Sequence, residues 1–353
     1  MTQRELFRAE RLPVLQNRVF ATAAEARTSA TGDVDLVQDM DTGLIFNSTF
    51  DPGKLAYDRN YQNEQACSSV FQKHLDSVTE IIHRHFHAQS LIEVGCGKGY
   101  FLDHLQARGY EVTGIDPAYE GSNPGVVKAH FERGLGLSAD AIILRHVLEH
   151  VPDPMSFLSS IAEANAGKGK IYIEVPCFDW ICRRRAWFDV FYEHVNYFRM
   201  RDFEHMFGDI AESGHVFGEQ YLYVVADLSS LRSPRCDQSR GLDFPDDFLG
   251  GIARLAAVAH NGSRNAIWGA ASKGVIFAVY MQRAGAAFEF VIDINPVKHG
   301  KYLPGSGLCV MPPAKAMQLL PPGNNIFVMN SNYLDEIIAQ SGNQYRYCEV
   351  DHE

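Results

Sequence analysis

The sequence predicts an α/β protein with a doubly wound parallel sheet, a small N-terminal module before that sheet and a second α/β domain after it. Three observations support this prediction. An apolar strand at 91–94 leads into three alternate glycines, strands and helices alternate from 90 to 175, and the same strand, turn and helix order starts again at 266. Alternating elements of these lengths are typical of parallel sheets with helices on both faces.

Composition places the chain among globular proteins of more than one domain. Its 353 residues exceed one ordinary domain, and no apolar run is long enough to span a membrane. The net charge of −11 gives no overall attraction to nucleic acid or to anionic membranes. The first residues are charged and do not resemble a signal peptide. We therefore expect a cytoplasmic protein without a nucleic-acid or membrane partner.

Cysteine and histidine spacing predicts no bound metal. Seven cysteines are scattered without a Cys-x-x-Cys pair, which fits a reduced compartment and argues against a structural zinc site. His83, His85 and His87 lie close together, but they straddle a predicted helix end and have no carboxylate or cysteine companion. The cysteines are Cys67, Cys96, Cys177, Cys182, Cys236, Cys309 and Cys348.

The elements can be placed in order from apolar periodicity. Residues before 70 lack a strong period, and helical spacing begins at 70–86. The predicted core has strands at 91–94, 111–115, 141–145 and 170–175 and helices at 101–108 and 154–164. A polar connection at 229–247 and a linking helix at 248–260 follow. The second unit has strands at 266–268, 290–293 and 325–329, a turn at 269–274 that opens a helix, and a helix at 334–340. We expect an N-terminal module at 1–85, a core at 86–230, a linker at 231–262 and a C-terminal domain at 263–353.

The glycine turn after the first core strand predicts a binding site for S-adenosylmethionine (SAM). Glycines allow the backbone to approach a ligand closely, and the following helix offers free N–H groups. Asp116 would end the next strand beside the turn, where its carboxylate can accept hydrogen bonds from ribose hydroxyls. A nicotinamide-binding turn is the alternative, but it requires a third glycine at the position of Tyr100. The predicted cofactor residues are Glu93, Gly95, Gly97, Gly99, Asp116, Pro117 and His146.

Two histidines follow the predicted strand at 141–145, at the sheet edge where open α/β folds bind ligands. His146 is a candidate to contact the methionine part of the cofactor or the substrate. His150 is expected to be structural, since Pro152 and Pro154 redirect the chain just after it.

Characteristic segments lie at 93–99, 146–154, 193–198, 268–274 and 291–296. Together these five segments resemble one family, the three-domain C-methyltransferases that build branched deoxysugars on nucleotide carriers. The segment Tyr57-Asp-Arg-Asn-Tyr61 is similar to the aromatic segment that family members place before their core. Family members often open with a cysteine-rich zinc module, which this sequence lacks. The resemblance implies a class I, Rossmann-like SAM methyltransferase core and a C-terminal Rossmann-like domain. The segments are Glu93-Val-Gly-Cys-Gly-Lys-Gly99, His146-Val-Leu-Glu-His-Val-Pro-Asp-Pro154, Glu193-His-Val-Asn-Tyr-Phe198, and Trp268-Gly-Ala-Ala-Ser-Lys-Gly274 with Val291-Ile-Asp-Ile-Asn-Pro296.

The resemblance implies that the general base lies at the Glu-His pair 193–194. Methylation at carbon needs a base that removes a proton next to a carbonyl, and a histidine in an aromatic, dry site suits that task. His194 is therefore the predicted base. The activity of the enzyme should fall in acid with a histidine-like pKa, because a protonated imidazole cannot accept the substrate proton. Glu193, Tyr192, His146 and Tyr57 are further catalytic candidates.

Basic and phenolic groups are candidates for holding the acceptor. Arg183 and Arg184 belong to a local basic cluster, and guanidinium groups suit the oxygens of a diphosphate. Lys273 lies in the glycine turn of the second domain, and Tyr61 and Tyr197 offer phenolic hydroxyls. The predicted partner is a small-molecule acceptor such as a nucleotide sugar.

Two alternatives to C-methylation stay open at this stage. An O- or N-methyltransferase could use His194 to deprotonate a hydroxyl or an amine. A non-catalytic binding protein could keep the SAM fold without a substrate site. The sequence gives neither the identity of the acceptor nor the oligomeric state.

Overall fold

The N-terminal module is a β-sheet that the sequence did not predict. A computed structural model describes residues 2–55, 67–86, 89–236 and 242–351. Tyr57, Tyr61 and His87 lie outside the described residues. The long strands β1 and β2 form an antiparallel hairpin, and β3 pairs with β2. The elements are β1 (Gln3–Pro13), α1 (Ala23–Arg27), β2 (Thr31–Asp39) and β3 (Ile45–Asn47).

The core begins with an amphipathic helix, α2, whose buried residues recur at helical spacing and pack on one face of the central sheet. Strands and helices then alternate, as the sequence predicts. The elements are α2 (Ser69–Phe86), β4 (Leu91–Val94), α3 (Tyr100–Gln106), β5 (Val112–Ile115), β6 (Val126–Val127), β7 (Ala141–Arg145), α4 (Pro154–Ala164), β8 (Lys170–Pro176), α5 (Phe178–Arg183), β9 (Asn196–Tyr197), α6 (Met200–Met206), β10 (Ile210–Val216) and β11 (Tyr221–Asp227).

The central sheet has the order β10-β11-β8-β7-β4-β5-β6. Strands β4 to β8 are parallel, whereas β10 and β11 are added as an antiparallel pair at one edge. The strand order reverses between β4 and β7, so their carboxyl ends diverge and leave a crevice for a ligand. The short strand β9 leaves the core and pairs with β3, which joins the N-terminal sheet to the core.

The C-terminal domain repeats this plan in a five-stranded sheet with the order β14-β13-β12-β15-β16 and parallel pairing throughout. Its order reverses between β12 and β15, which places a second crevice at their carboxyl ends. The elements are α7 (Gly251–Ala259), β12 (Asn265–Trp268), α8 (Ser272–Arg283), β13 (Phe290–Ile292), β14 (Val310–Met311), α9 (Pro313–Leu319), β15 (Asn325–Val328), α10 (Leu334–Ser341) and β16 (Arg346–Glu349).

One continuous apolar core joins the three parts, since buried residues of the N-terminal sheet, the central sheet and helix α8 belong to the same cluster. Trp187 of the core, for example, stacks on Phe277 of α8 with ring centroids 5.9 Å apart. Among the described helices, none combines the length and apolar character needed to cross a membrane.

Candidate active site

The glycine turn after β4 has the strained backbone that only glycine adopts readily. Gly95, Gly97 and Gly99 have φ values of 74°, 55° and 80°. A Cβ on Gly95 would lie 2.4 Å from a methyl of Val147, so this glycine is needed for packing. A Cβ on Gly97 would meet no protein atom within 4 Å and would point into open space. Gly97 therefore leaves room for a ligand.

Asp116 lies beside the turn, as predicted. Its Oδ2 accepts a hydrogen bond of 2.9 Å from the backbone N–H of Gly97, and its Oδ1 accepts one from the N–H of Ala118. Asp116, Pro117 and Gly99 do not line the cavity described below, whereas Gly95 and Gly97 do. The ribose contact of Asp116 stays a prediction.

A cavity of about 400 Å³ lies between the two sheets, where their crevices face each other. All three parts of the chain line it. Asn17 comes from the N-terminal module, Phe71 from the start of α2, and Tyr221 from β11. The glycine turn and the segments after β7 and β8 form the core side, and the ends of β12, β13 and β15 form the opposite side. Enclosure by several loops is typical of small-molecule sites.

Glu93 places a buried carboxyl group in this cavity. Its side chain is 4% exposed, and its Oε2 has no hydrogen-bond partner among the described residues. Burial raises the pKa of Glu93 to about 7. A buried acceptor without a partner is costly unless a ligand satisfies it. Together with the open space at Gly97, it fits a polar, positively charged cofactor.

His146 is held as a cation. Its Nε2 donates to Glu174 Oε1 at 3.1 Å, and its Nδ1 lies 3.4 Å from Glu149 Oε1. Burial lowers the pKa of His146, but these two carboxylates outweigh it and raise the pKa to about 9. His146 lines the cavity, as predicted for a cofactor or substrate contact. A protonated imidazole cannot accept a proton, so His146 is not a general base at neutral pH.

Glu174 organises the buried charges behind the cavity. Its carboxylate accepts hydrogen bonds from His74, Arg145, His146 and Tyr172. Burial acts to raise the pKa of Glu174, but the charges of Arg145 and His74 and the bonds from both histidines hold it well below its usual range. The sequence analysis did not single out this residue, because the antiparallel strand β11 that covers it was not predicted.

His194 lies buried in the cavity wall, and its imidazole ring makes no hydrogen bond with any described residue. Its ring packs against Phe191, with centroids 3.9 Å apart, and against His150 at 4.9 Å. Burial, followed by the charges of His150, His146 and Lys273, lowers the pKa of His194 well below its usual value. The imidazole is therefore neutral at pH 7. The prediction that activity falls in acid at an ordinary histidine pKa is corrected, because the transition belongs at lower pH.

His150 was predicted to be structural, but the structure places it in the cavity wall beside His194. Its Nδ1 donates to the backbone carbonyl of Glu193 at 2.8 Å, so its Nε2 is the free acceptor. The turn over Leu148–His150 that follows β7 carries the ring inward. Its position four residues after His146 was the signal that could have identified it.

Two predicted site residues do not line the cavity, which corrects a catalytic role for Tyr192 and a substrate-binding role for Tyr197. Tyr192 is fully buried under the N-terminal module, where its hydroxyl accepts from the N–H of Asp51 at 2.8 Å. The hydroxyl of Tyr197 hydrogen-bonds to the backbone of its own loop, where it contacts the N–H and the carbonyl of Phe191. The chain turns between these residues, since the backbone N–H of His194 donates to the carbonyl of Phe191 at 3.2 Å, and this turn lets Tyr192 and His194 face different surroundings.

Glu193 lines the cavity but binds the N-terminal module. Its Oε1 accepts a hydrogen bond of 2.6 Å from the backbone N–H of Gln16, and its side chain is buried. The residue therefore positions the segment that contains Asn17, which reaches Ser272 of the C-terminal domain at 3.1 Å. A direct catalytic role for Glu193 stays a prediction.

The arginine cluster lies on a different surface, which corrects its predicted role in substrate binding. Arg183 and Arg184 do not line the central cavity. Arg183 pairs with Glu219 at 2.5 Å, and Arg185 pairs with Asp247 at 3.0 Å. Arg183 borders a second, open pocket that also contains aspartates, so its charge is balanced there.

Lys273 does line the central cavity, as a substrate-binding residue should. Its ammonium group forms an ion pair with Asp189 at 3.1 Å and donates to Gln220 at 2.9 Å. It also lies over the ring of Trp180, 4.9 Å from the centroid. The lysine therefore joins the C-terminal domain to the core, and its contact with substrate stays a prediction.

Two parts of the chain match known protein families. Residues 59–210 match a family described as a methyltransferase domain, and residues 251–347 match a family described as a C-methyltransferase C-terminal domain. The first match contains the glycine turn, Asp116, His146 and His194, and the second contains Lys273.

Individual relatives agree with the family matches. C-methyltransferase NovU of Streptomyces niveus is 23% identical over 289 residues, which are 70% of this chain and 68% of that protein. The ubiquinone biosynthesis O-methyltransferase of Aeromonas salmonicida is 33% identical over 101 residues, 24% of this chain and 41% of its own length.

Solved structures with some likeness include a SAM-dependent methyltransferase from Archaeoglobus fulgidus (TM-score 0.35, 16% identity, 45% of this chain and 100% of that chain). Another is the N-methyltransferase NodS of Bradyrhizobium japonicum in complex with S-adenosylhomocysteine (TM-score 0.35, 16% identity, 49% of this chain and 93% of that chain).

The doubly wound core, the open glycine turn with Asp116 and Glu93, and the matched methyltransferase domain agree on one cofactor and one type of reaction. The chain is a SAM-dependent methyltransferase with a Rossmann-like core.

Proposed function

We propose that this enzyme methylates a carbon atom next to a keto group and that His194 is the general base. The observation that carries the proposal is the position of His194, a buried imidazole without a hydrogen bond to any described residue, in the wall of the cavity that contains the glycine turn. The relative NovU is a C-methyltransferase and the matched C-terminal family is described as a C-methyltransferase C-terminal domain, which supports the same type of reaction.

The residues divide the task in the following way. SAM supplies, when bound, a methyl group that its sulfonium already activates. His194 removes the proton from the carbon next to the keto group, and the bonding electrons pass to the keto oxygen as an enolate. The enolate carbon then forms the new bond to the methyl group as the bond from that methyl group to the sulfonium sulfur breaks, which would leave S-adenosylhomocysteine. The proton stays on the imidazole until solvent removes it. The rings of Phe191 and Tyr221 line the same cavity and limit access of water.

The acceptor class is a nucleotide-linked keto-deoxysugar. The cavity extends from the core crevice to the second crevice in the C-terminal domain, so a ligand with two separate parts can occupy both sides. Lys98, Lys273 and Lys298 line it together with six carboxylates. Lys273 pairs with Asp189 and Lys298 lies 3.8 Å from Asp293, so the phosphate groups would compete with these carboxylates for the ammonium groups. Arg183 and Arg184 take no part in this proposal.

An O-methyltransferase is the second candidate, because the ubiquinone biosynthesis enzymes match locally. That match covers 24% of this chain, whereas the match to the C-methyltransferase NovU covers 70%. In this case His194 would remove the proton of a hydroxyl group.

The type of reaction can be tested with SAM that carries a ¹³C-labelled methyl group. The purified enzyme is incubated with a panel of nucleotide-linked 4-keto-deoxysugars, and the product is analysed by NMR. We expect the labelled methyl group to couple to a carbon of the sugar ring. A labelled methyl group attached to oxygen would contradict the proposal and favour the second candidate.

A further inference from the structure

Three side chains in the cavity wall form a cluster that the proposed methyl transfer does not use as a unit. Glu149, His150 and His194 each offer one ligand-type atom, and these atoms lie within 4.8 Å of one another. Two imidazoles and one carboxylate form a set that binds transition metals in proteins, with further coordination positions left open.

The carboxylate of Glu149 is the independent observation that points to a ligand. Its side chain is 1% exposed, and its Oε2 has no hydrogen-bond partner among the described residues. Its other oxygen lies 3.4 Å from Nδ1 of His146, which fixes the orientation of the group. A buried carboxylate oxygen without a partner is energetically costly, and a cation at the cluster would satisfy it.

The surroundings of His150 are those of a metal ligand. Its Nδ1 donates to the carbonyl of Glu193, which leaves Nε2 as the atom with a free lone pair. A hydrogen bond from the opposite ring nitrogen to a carbonyl is the usual support of metal-binding histidines. Movements of about 1 Å in the three side chains would bring their atoms to ligand distances of about 2.0–2.2 Å.

We propose that Glu149, His150 and His194 bind one divalent transition-metal ion such as Zn²⁺. Imidazole-rich sites prefer Zn²⁺, Co²⁺ and Ni²⁺, whereas Mg²⁺ and Ca²⁺ prefer oxygen ligands. The bound ion occupies the lone pair of His194 that would accept the substrate proton. Zn²⁺ is therefore an inhibitor of methyl transfer, a consequence that rests on the proposed function, whereas the binding itself does not.

Binding is tested with Co²⁺ and Zn²⁺ on the full-length protein, without substrate. We expect one Co²⁺ per chain with the visible absorption of a low-coordinate nitrogen and oxygen site, displacement by Zn²⁺, and no displacement by excess Mg²⁺. The variants Glu149→Gln and His150→Asn should bind Co²⁺ at least ~100-fold more weakly. His215→Asn, on the exposed face of β10, is the matched control and should bind as the wild type does.

The outcomes separate the two proposals. Failure of the wild-type protein to bind Co²⁺ or Zn²⁺, a thiolate-to-metal absorption band, or unchanged binding in both variants would overturn the metal site, whatever the enzyme methylates. Binding as expected, together with methyl transfer that Zn²⁺ does not slow, would instead contradict His194 as the base. The wild-type measurement decides the point even if a variant fails to fold.

Discussion

At the scale of single residues, burial and neighbouring charges set the protonation states in the cavity, and His146 and His194 differ most. His146 is positioned between two carboxylates that keep it protonated, whereas His194 has burial and positive neighbours that keep it neutral. Only the neutral imidazole can accept a proton. The surroundings of each side chain, and not the residue type, therefore distinguish the candidate base His194 from the positively charged His146.

Glu93 gives a prediction on the pH dependence of SAM binding. Its pKa of about 7 means that half of the molecules carry a protonated Glu93 near neutral pH. A positively charged cofactor favours the carboxylate and so lowers this pKa, and binding at pH 6.5 should release a proton. We expect SAM affinity to rise as pH increases through 7.

Calorimetry in buffers with different ionisation enthalpies measures that proton. Glu93→Gln should remove both the proton release and the pH dependence near 7. Proton-neutral SAM binding by the wild-type enzyme at pH 6.5 would refute the role assigned to Glu93.

Glu174 gives a prediction on stability. The variant Glu174→Gln leaves Arg145, His74 and His146 buried with too few acceptors, so the free energy of unfolding should fall by about 3–5 kcal/mol. Glu212→Gln is the matched control, since Glu212 also pairs with an arginine and a histidine but at a more exposed site. Its cost should be about 1 kcal/mol or less. Similar losses in the two variants, measured by chemical denaturation, would argue against a buried charge network.

At the scale of elements, periodicity predicted the parts with one buried face or with complete burial. Strand 141–145 and helix 154–164 agree with the structure at both ends, and helix α2 differs by one residue. The hairpin of β1 and β2 was missed because its charged, exposed positions interrupt a regular alternation. The pair β10 and β11 was missed because β10 alternates exposed and half-buried residues of low hydrophobicity.

The positions of the site residues could be predicted only where these residues lie close to the end of a core strand. The glycine turn, Asp116 and His146 follow core strands, so their proximity follows from the parallel sheet alone. Tyr192, Tyr197 and Arg183 lie in the segment between β8 and β10, whose path depends on packing against the N-terminal module. Sequence order says little about the direction of side chains in such a segment. The predicted domain boundaries at 85, 230 and 262 stay predictions.

The glycine turn gives a prediction with an internal control. Gly97→Ala and Gly109→Ala both place a Cβ at positive φ in space without protein neighbours, so their backbone costs should be similar, about 1–2 kcal/mol each. Only Gly97 lines the cavity. We expect at least ~10-fold weaker SAM binding for Gly97→Ala and unchanged binding for Gly109→Ala. Wild-type SAM affinity in Gly97→Ala would contradict the assigned cofactor site.

At the scale of the whole molecule, the active site belongs to no single part of the chain. The C-terminal domain closes the cavity, and its Lys273 pairs with Asp189 of the core. Glu336 of α10 accepts hydrogen bonds from Ser68 and Ser69 at the start of α2. These contacts join the C-terminal domain to the core loops on both sides of the cavity.

The acceptor proposal predicts different effects for two basic residues. Lys273→Ala should raise the KM for the acceptor at least ~10-fold, because the lysine lines the cavity and orders Asp189. Arg183→Ala should leave this KM unchanged, because its guanidinium lies on another surface. Steady-state kinetics with the keto-sugar identified by NMR provides the measurement. A larger effect of Arg183→Ala would restore the arginine cluster as the acceptor site.

The central claim is that His194 removes a proton from carbon, and hydrogen exchange at that carbon tests it most directly. The enzyme is incubated in D₂O with the keto-sugar and S-adenosylhomocysteine, so that proton removal proceeds without methyl transfer. The account predicts exchange next to the keto group with the wild-type enzyme, and a rate about 10²–10⁴-fold lower with His194→Asn. SAM affinity should be nearly unchanged in that variant. Tyr192→Phe, which alters a neighbouring buried hydroxyl outside the cavity, should exchange at the wild-type rate. Exchange by His194→Asn at the wild-type rate would contradict the account.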